Sequence, residues 1–166
     1  MGHSGPDRAI RREVIVQGSL DEVWEAWTTE EGVRSFFAPA CQVRLQVNGP
    51  YEILFNPEAE PGQRGAEGMR VMAFQPLKML AFTWNAPPHL SQVRGQLTHV
   101  QVWLDRIDAG QTRVTLLHRG WGQGGEWDRA YDYFARAWGE VVLPRLRYRF
   151  AVGPVDWESP PRFEER

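Results

Sequence analysis

Residues 126–151 read EWDRAYDYFARAWGEVVLPRLRYRFA, and their large side chains fall at Trp127, Tyr131, Phe134, Trp138, Val141, Val142, Arg145 and Leu146. Offsets alternating between four and three put these side chains on one face of a helix. At 1.5 Å per residue that helix is on the order of 39 Å long. Pro144 lacks an N–H and crowds the carbonyl four residues back, so a kink is predicted near Glu140 or Val141. Glycines at 120, 122, 124 and 125 lead into the helix. Beyond Gly153 the stretch PVDWESPPRFEER has Pro and charge without period, and residues 152–166 read as a tail.

Upstream of the glycines the period changes from 3.6 to 2. Strands are predicted over 41–47, 51–56, 68–74, 79–85, 97–107 and 111–119, divided by Asn-Gly-Pro, Gln-Pro, Pro-Pro and Asp-Ala-Gly turn chemistry. Connections this short favour an antiparallel meander over crossovers. A leader over 1–8 precedes a further strand at 9–17. Ser19 with Glu22 has capping-box spacing, and Leu20, Val23, Trp24 and Trp27 follow at i, i+3, i+4 and i+7. Thr29 caps a second short helix over 30–37, closed by Pro39. The predicted fold class is therefore α+β: a curved antiparallel sheet of about seven strands, one N-terminal and six in a meander, with two short helices after the first strand. A sheet with one face to cover and a single long apolar helix to cover it must curl around that helix.

Composition narrows the function classes. The chain has 166 residues, enough for one domain with a real core or even a cavity. Nineteen basic against 21 acidic residues give a net charge of −2, with no basic stripe for nucleic acid. No apolar run approaches the roughly 20 residues that span a bilayer, and MGHSGPDR lacks the apolar core of a signal peptide, so a cytoplasmic location is expected. The lone Cys41 makes no intrachain disulfide and, without a partnered cation such as Arg34 or Arg44, no reactive thiol. Trp, with eight residues, is as frequent as Phe, and that excess is what the fold must place.

Residues 19–31, Ser-Leu-Asp-Glu-Val-Trp-Glu-Ala-Trp-Thr-Thr-Glu-Glu, resemble the opening motif of the START-related helix-grip (SRPBCC) superfamily. The branch they resemble is that of homologues of the heat-shock-protein ATPase activator. Asn48-Gly49-Pro50-Tyr51 resembles that branch's glycine pair before an aromatic, Gly68 to Leu80 its G-x-V-x-x-x-x-P-x-x-x-L strand pair, and residues 111–120 its late strand ending in His-x-Gly. Departures are the single glycine in the 47–50 turn, Phe36 or Phe37 in place of a common Trp, and Trp138 before Gly139 instead of after it. The resemblance covers residues 9–151. It implies a sheet gripping the long helix around an apolar cavity, in a family whose members bind hydrophobic or aromatic small molecules. A few of these protect their hosts by binding a toxic compound, and eukaryotic relatives stimulate a chaperone's ATPase. Fold alone does not choose among these.

Among local motifs, Gly120-Trp121-Gly122-Gln123-Gly124-Gly125 fits G-x-G-x-x-G, yet no strand follows the last helix to complete a βαβ unit, so a strand-to-helix turn is the better reading. His3, His89, His99 and His118 lack metal-ligand spacing, and no metal, cofactor or catalytic residue is assigned. If the turn at 108–111 closes a two-residue hairpin, Gln101 faces His118 and Trp103 faces Leu116. A Gln, a His and a Trp among aliphatics could orient a ligand, but a core His satisfied by a cross-strand hydrogen bond is the preferred reading of His118. Alternation puts Tyr51 and Phe55 on one face and Phe82 and Trp84 on one face. The long helix adds Tyr131, Phe134 and Trp138, and these rings either fill the gap between sheet and helix or line it. Arg145 falls on the apolar helix face, where its head is expected to pair with a carboxylate.

The leading expectation is a non-enzymatic protein whose partner is a small hydrophobic, aromatic molecule held by Tyr51, Phe55, Phe82, Trp84, Gln101, Trp103, His118, Tyr131, Phe134 and Trp138. A second is an interaction module of the chaperone-activator type, which predicts an exposed apolar patch around Phe36, Phe37 and Trp157. A third is a cyclase or hydrolase in the same cavity, which needs His118 or another titratable group in an open pocket.

Overall fold

The computed structural model describes residues 8–163; positions 1–7, with His3 and most of the expected leader, and positions 164–166 lie outside the described residues. The elements run β1 (Ile10–Val16), α1 (Leu20–Thr28), α2 (Glu30–Arg34), β2 (Ala40–Val43), β3 (Tyr51–Leu54), β4 (Val71–Gln75), β5 (Met79–Trp84), α3 (Ser91–Arg94), β6 (Thr98–Asp108), β7 (Gln111–Arg119), α4 (Glu126–Ala137) and α5 (Leu143–Ala151). All the predicted strands and both early helices form. The Ser19 hydroxyl caps α1 while Glu22 reaches back to the Ser19 N–H, and the Thr29 hydroxyl accepts from Gly32 N at 3.0 Å to start α2.

The meander is not one continuous sheet. Five strands are ordered β1-β7-β6-β5-β4, all antiparallel, and β2 with β3 forms a separate ribbon. The ribbon meets the larger sheet through the Pro50–Arg70 bridge and the flanking bonds from Tyr51 N to Met69 O and Val71 N to Gly49 O. Gly68 turns the chain away at φ +78°, which limits this pairing to a single bridge. The short helix α3, in the connection between β5 and β6, is a single turn and leaves no hydrophobic period to read.

The expected register between β6 and β7 is corrected by one residue. The turn closes as predicted, with Asp108 opposite Gln111, but a bulge between Arg106 and Asp108 inserts Ile107. Val100 therefore faces His118, and Gln101 faces Leu117. A slip of one residue moves every side chain of a strand to the other face. Thr98, Val100, Val102 and Leu104 consequently point inward with Thr112, Val114, Leu116 and His118.

The C-terminal helix is interrupted by a π-helical turn, Trp138–Val142, where Leu143 N–H reaches Trp138 O. Pro144 supplies no N–H for the Glu140 carbonyl and crowds it, so the helix widens there before continuing as α5. Residues 152–163 have no regular structure but are tied down: Val155 is buried, its N–H bonds to Ser35 O, and the Trp157 indole donates to Arg34 O at 2.6 Å.

Candidate functional site

The space between sheet and helix is filled by rings. Trp27 packs edge-on to Phe36 and Phe37 at centroid distances of 4.9 and 5.5 Å, and Phe37 contacts Trp84 and Trp138, both at 5.9 Å. Trp84 in turn touches Phe82, Phe134 and Trp138, while Tyr51 stacks on Phe82 at 4.3 Å and donates its hydroxyl to Trp27 O. Each ring buries roughly 150–250 Å², so this cluster is the main apolar contribution to the core. The departures seen in sequence are accounted for here, since Phe36 and Phe37 seat against Trp27 and Trp138 enters from the π-helical turn.

A polar relay runs through the rings at His118, which is fully buried. Its Nδ1 accepts from the Trp138 indole at 3.0 Å, so the ring proton sits on Nε2 and is donated to Thr98 Oγ1 at 2.7 Å. The Thr98 hydroxyl passes on to Trp84 O at 3.2 Å. Burial, with a smaller contribution from His99, holds the imidazole well below its ordinary titration range and keeps it neutral. Both ring nitrogens are occupied, which leaves His118 no lone pair or proton for chemistry in a pocket. The satisfied core histidine is what the structure contains.

One cleft opens at the loop end of the grip. It holds about 190 Å³, and its walls include Phe55, Trp84, Tyr133 and Phe134, closed above by Pro87 and Pro88. The 56–68 loop forms its other side and is clasped by Arg94 of α3. Arg94 donates to Gly62 O through Nε and Nη2, to Gly65 O at 2.9 Å and to Ala86 O, and Glu67 lies 3.7 Å away. Burial would raise the Glu67 pKa, but N–H groups of Gly62, Arg64 and Gly65, with Arg94, hold it below the ordinary value. Asn85 adds a bond from Nδ2 to Gly65 O at 3.0 Å. Sequence reading missed Tyr133, Arg94, Asn85 and the two prolines as cleft residues; a Pro-Pro turn beside inward strand ends was the available signal.

The ten residues expected to gather around a ligand divide into three groups. Phe55, Trp84 and Phe134 line the cleft. Tyr51, Phe82, His118 and Trp138 stand behind it in the packed core. Tyr131 lies apart, beneath the Arg8 guanidinium and with its hydroxyl on Ala9 O, and Gln101 and Trp103 sit on the outer sheet face, hydrogen-bonded to each other at 3.1 Å. The inward placement of Gln101 and Trp103 fails because of the Ile107 bulge.

Two further expectations change. Phe36 and Phe37 are buried and Trp157 stacks under Arg145 at 5.1 Å, so the predicted exposed patch around them does not exist. Arg145 accordingly meets an indole where a carboxylate was expected, and its Nε is buried without a partner. The glycine turn after β7 has positive φ at Gly120, Gly124 and Gly125 and serves to bury Trp121, whose indole donates to His118 O. Cys41 has its pKa pushed up to about 11 by burial despite Arg34, and is no activated thiol.

A family model described as "Activator of Hsp90 ATPase homolog 1-like protein" matches residues 17–150. Among solved structures, DynU16 of the dynemicin biosynthetic locus superimposes with a TM-score of 0.66 at 21% identity, covering 97% of this chain and 52% of its own. This chain thus spans about half the length of DynU16. MLL2253 from Mesorhizobium loti gives 0.67 at 18% identity over 84% of this chain and 94% of its own. An HSP90 activator from Plasmodium falciparum gives 0.63 at 12% over 88% and 96%. At these identities the structures establish the fold alone. A search of curated proteins returned no match. Among the described residues no helix is long and apolar enough to cross a membrane.

Proposed function

We propose that this chain, which belongs to the Activator of Hsp90 ATPase homolog 1-like family, is a non-catalytic binder of a small aromatic molecule held in the cleft at the loop end of the grip. The observation that carries this reading is the wall of the cleft itself: the rings of Phe55, Trp84, Tyr133 and Phe134, two prolines and a polar rim. Apolar walls with a few polar groups are what small-ligand sites share. The interior gap is already closed by rings, which favours the cleft as the place for a guest. His118, one of the titratable groups a cyclase or hydrolase reading could use, is buried and fully hydrogen-bonded.

Naphthalene is a suitable first probe, followed by its own emission and by quenching of tryptophan fluorescence. Saturable 1:1 binding that is lost in Phe55→Glu, a change at a position 42% exposed, is the expected result. No saturable binding, or binding indifferent to that substitution, overturns the proposal.

A further inference from the structure

We infer that the ligand of this cleft carries a neutral carbonyl oxygen on a compact aromatic or bicyclic frame, and that this oxygen accepts the indole N–H of Trp84. The inference rests on the cleft being the binding site. Trp84 is 2% exposed, lines the cleft, and has an indole nitrogen that is buried with no hydrogen-bond partner. An indole is a donor only, so whatever satisfies it must be an acceptor. Tryptophan N–H groups elsewhere in the same core do find acceptors: Trp121 uses His118 O and Trp138 uses His118 Nδ1. A buried donor left unpaired destabilises the fold, and a guest that accepts from it removes that cost. Trp27 is unpartnered as well, but it sits against Phe36 and Phe37 and does not line the cleft.

Size and charge narrow the class. About 190 Å³ slightly exceeds the roughly 150 Å³ engineered cavity that takes benzene and falls short of the roughly 300–1,000 Å³ of drug-sized sites. One ring or two fused rings fit; an extended lipid chain does not. Around the indole stand Phe37, Phe55, Phe82, Phe134 and Trp138, an apolar shell in which a carboxylate would be strongly penalised. The Arg94 guanidinium is engaged with three backbone carbonyls and lies near Glu67, and Arg64 gives its Nε to Ala59 O, so neither is placed as a free counter-charge. Phe55 is the only exposed ring among the five on Trp84, so it is the side chain of that shell free to make room for a guest.

The test compares 1-tetralone with tetralin, two frames that differ by the carbonyl, on the intact chain and on Trp84→Phe. Hydrophobicity differs between the probes, so the informative quantity is the effect of the substitution on each. Expected is about a tenfold loss of tetralone affinity with tetralin changed by less than about twofold, the size of one net hydrogen bond. In the ¹⁵N-labelled wild-type protein, one indole N–H resonance, absent from the Trp84→Phe spectrum, should move downfield with tetralone and not with tetralin. This measurement stands even if Trp84→Phe folds poorly, since the Trp84 indole can instead be assigned through nuclear Overhauser contacts with the rings packed on it, Phe55 and Phe134 among them. Equal losses for both probes, or an indole shift that ignores the carbonyl, overturn the carbonyl inference and leave the aromatic-binding reading intact. Failure of both probes to bind overturns both.

Discussion

The Trp138 indole donates to His118 Nδ1 across 3.0 Å, joining the π-helical turn to the last strand of the sheet. That bond fixes the tautomer, places the proton on Nε2, and makes the imidazole a bridge between helix and sheet. A neutral, doubly bonded His in a shell of rings is costly to charge.

The pH dependence of stability follows. Burial lowers the His118 pKa well below 6.5, so the unfolded chain takes up a proton that the folded one refuses. Stability from this group is complete above the unfolded value and is lost as pH falls below it, by up to about 1.4 kcal/mol per pH unit. Urea melts of wild type and His118→Gln at pH 8 and pH 5.5 check this: wild type leads at pH 8, and the gap narrows by about 1 kcal/mol or more at pH 5.5. His99, also lowered by burial and by Arg119, is common to both proteins and cancels in the difference. A gap that stays constant with pH would show that His118 does not titrate as described.

Thr98 carries the other half of the bridge. Thr98→Val keeps the shape but strands the His118 Nε2–H and leaves Trp84 O without the hydroxyl, a loss of roughly 1–3 kcal/mol. Thr98→Ser keeps the hydroxyl and gives up one methyl, about 0.8 kcal/mol. Chemical denaturation should rank wild type above Ser above Val; a Val variant as stable as the Ser variant contradicts the relay.

How far the sequence could carry these conclusions depends on the kind of signal. The α1 capping box, the α2 cap, the β6–β7 turn and the long helix face were legible because each is a local pattern of a few residues with one physical meaning. The Ile107 bulge was not, since nothing about Ile107 distinguishes an extra residue from a regular one, and that single insertion sent Gln101 and Trp103 to the outside. The aromatic excess was legible, but whether its rings fill or line the gap depends on relative placement in space. Arg94, in a one-turn helix with no period, takes its role from carbonyls that lie up to 32 residues away in sequence.

The segment after α5 acts as a strap. Ending the chain after Gly153 removes the burial of Val155, its bond to Ser35 O and the Trp157 bond to Arg34 O. One buried Val and two net hydrogen bonds amount to roughly 2.5–6 kcal/mol, reduced by the entropy of ordering the segment. Thermal melts should show Tm lowered by roughly 5–15 °C, whereas a chain ended after Glu158 keeps the wild-type value. Equal Tm for the two truncations would remove the strap from the stability account.

Arg94 connects the fold to the cleft. Its planar head reaches Gly62, Gly65 and Ala86 at once, holding the 56–68 loop and the Pro87-Pro88 turn around Phe55 and Trp84. A lysine has one compact ammonium and matches no such spread of carbonyls, so Arg94→Lys should behave like Arg94→Met here. Both substitutions are expected to speed cleavage within residues 57–65 by a non-specific protease, because the loop then opens at lower free energy than the core. Naphthalene affinity should fall about tenfold in both, while the ring core, which Arg94 does not touch, keeps its near-ultraviolet circular dichroism. Faster proteolysis with unchanged affinity would mean that the loop closes no part of the binding site; unchanged proteolysis would mean that Asn85 and the Glu67 backbone bonds hold the loop without Arg94.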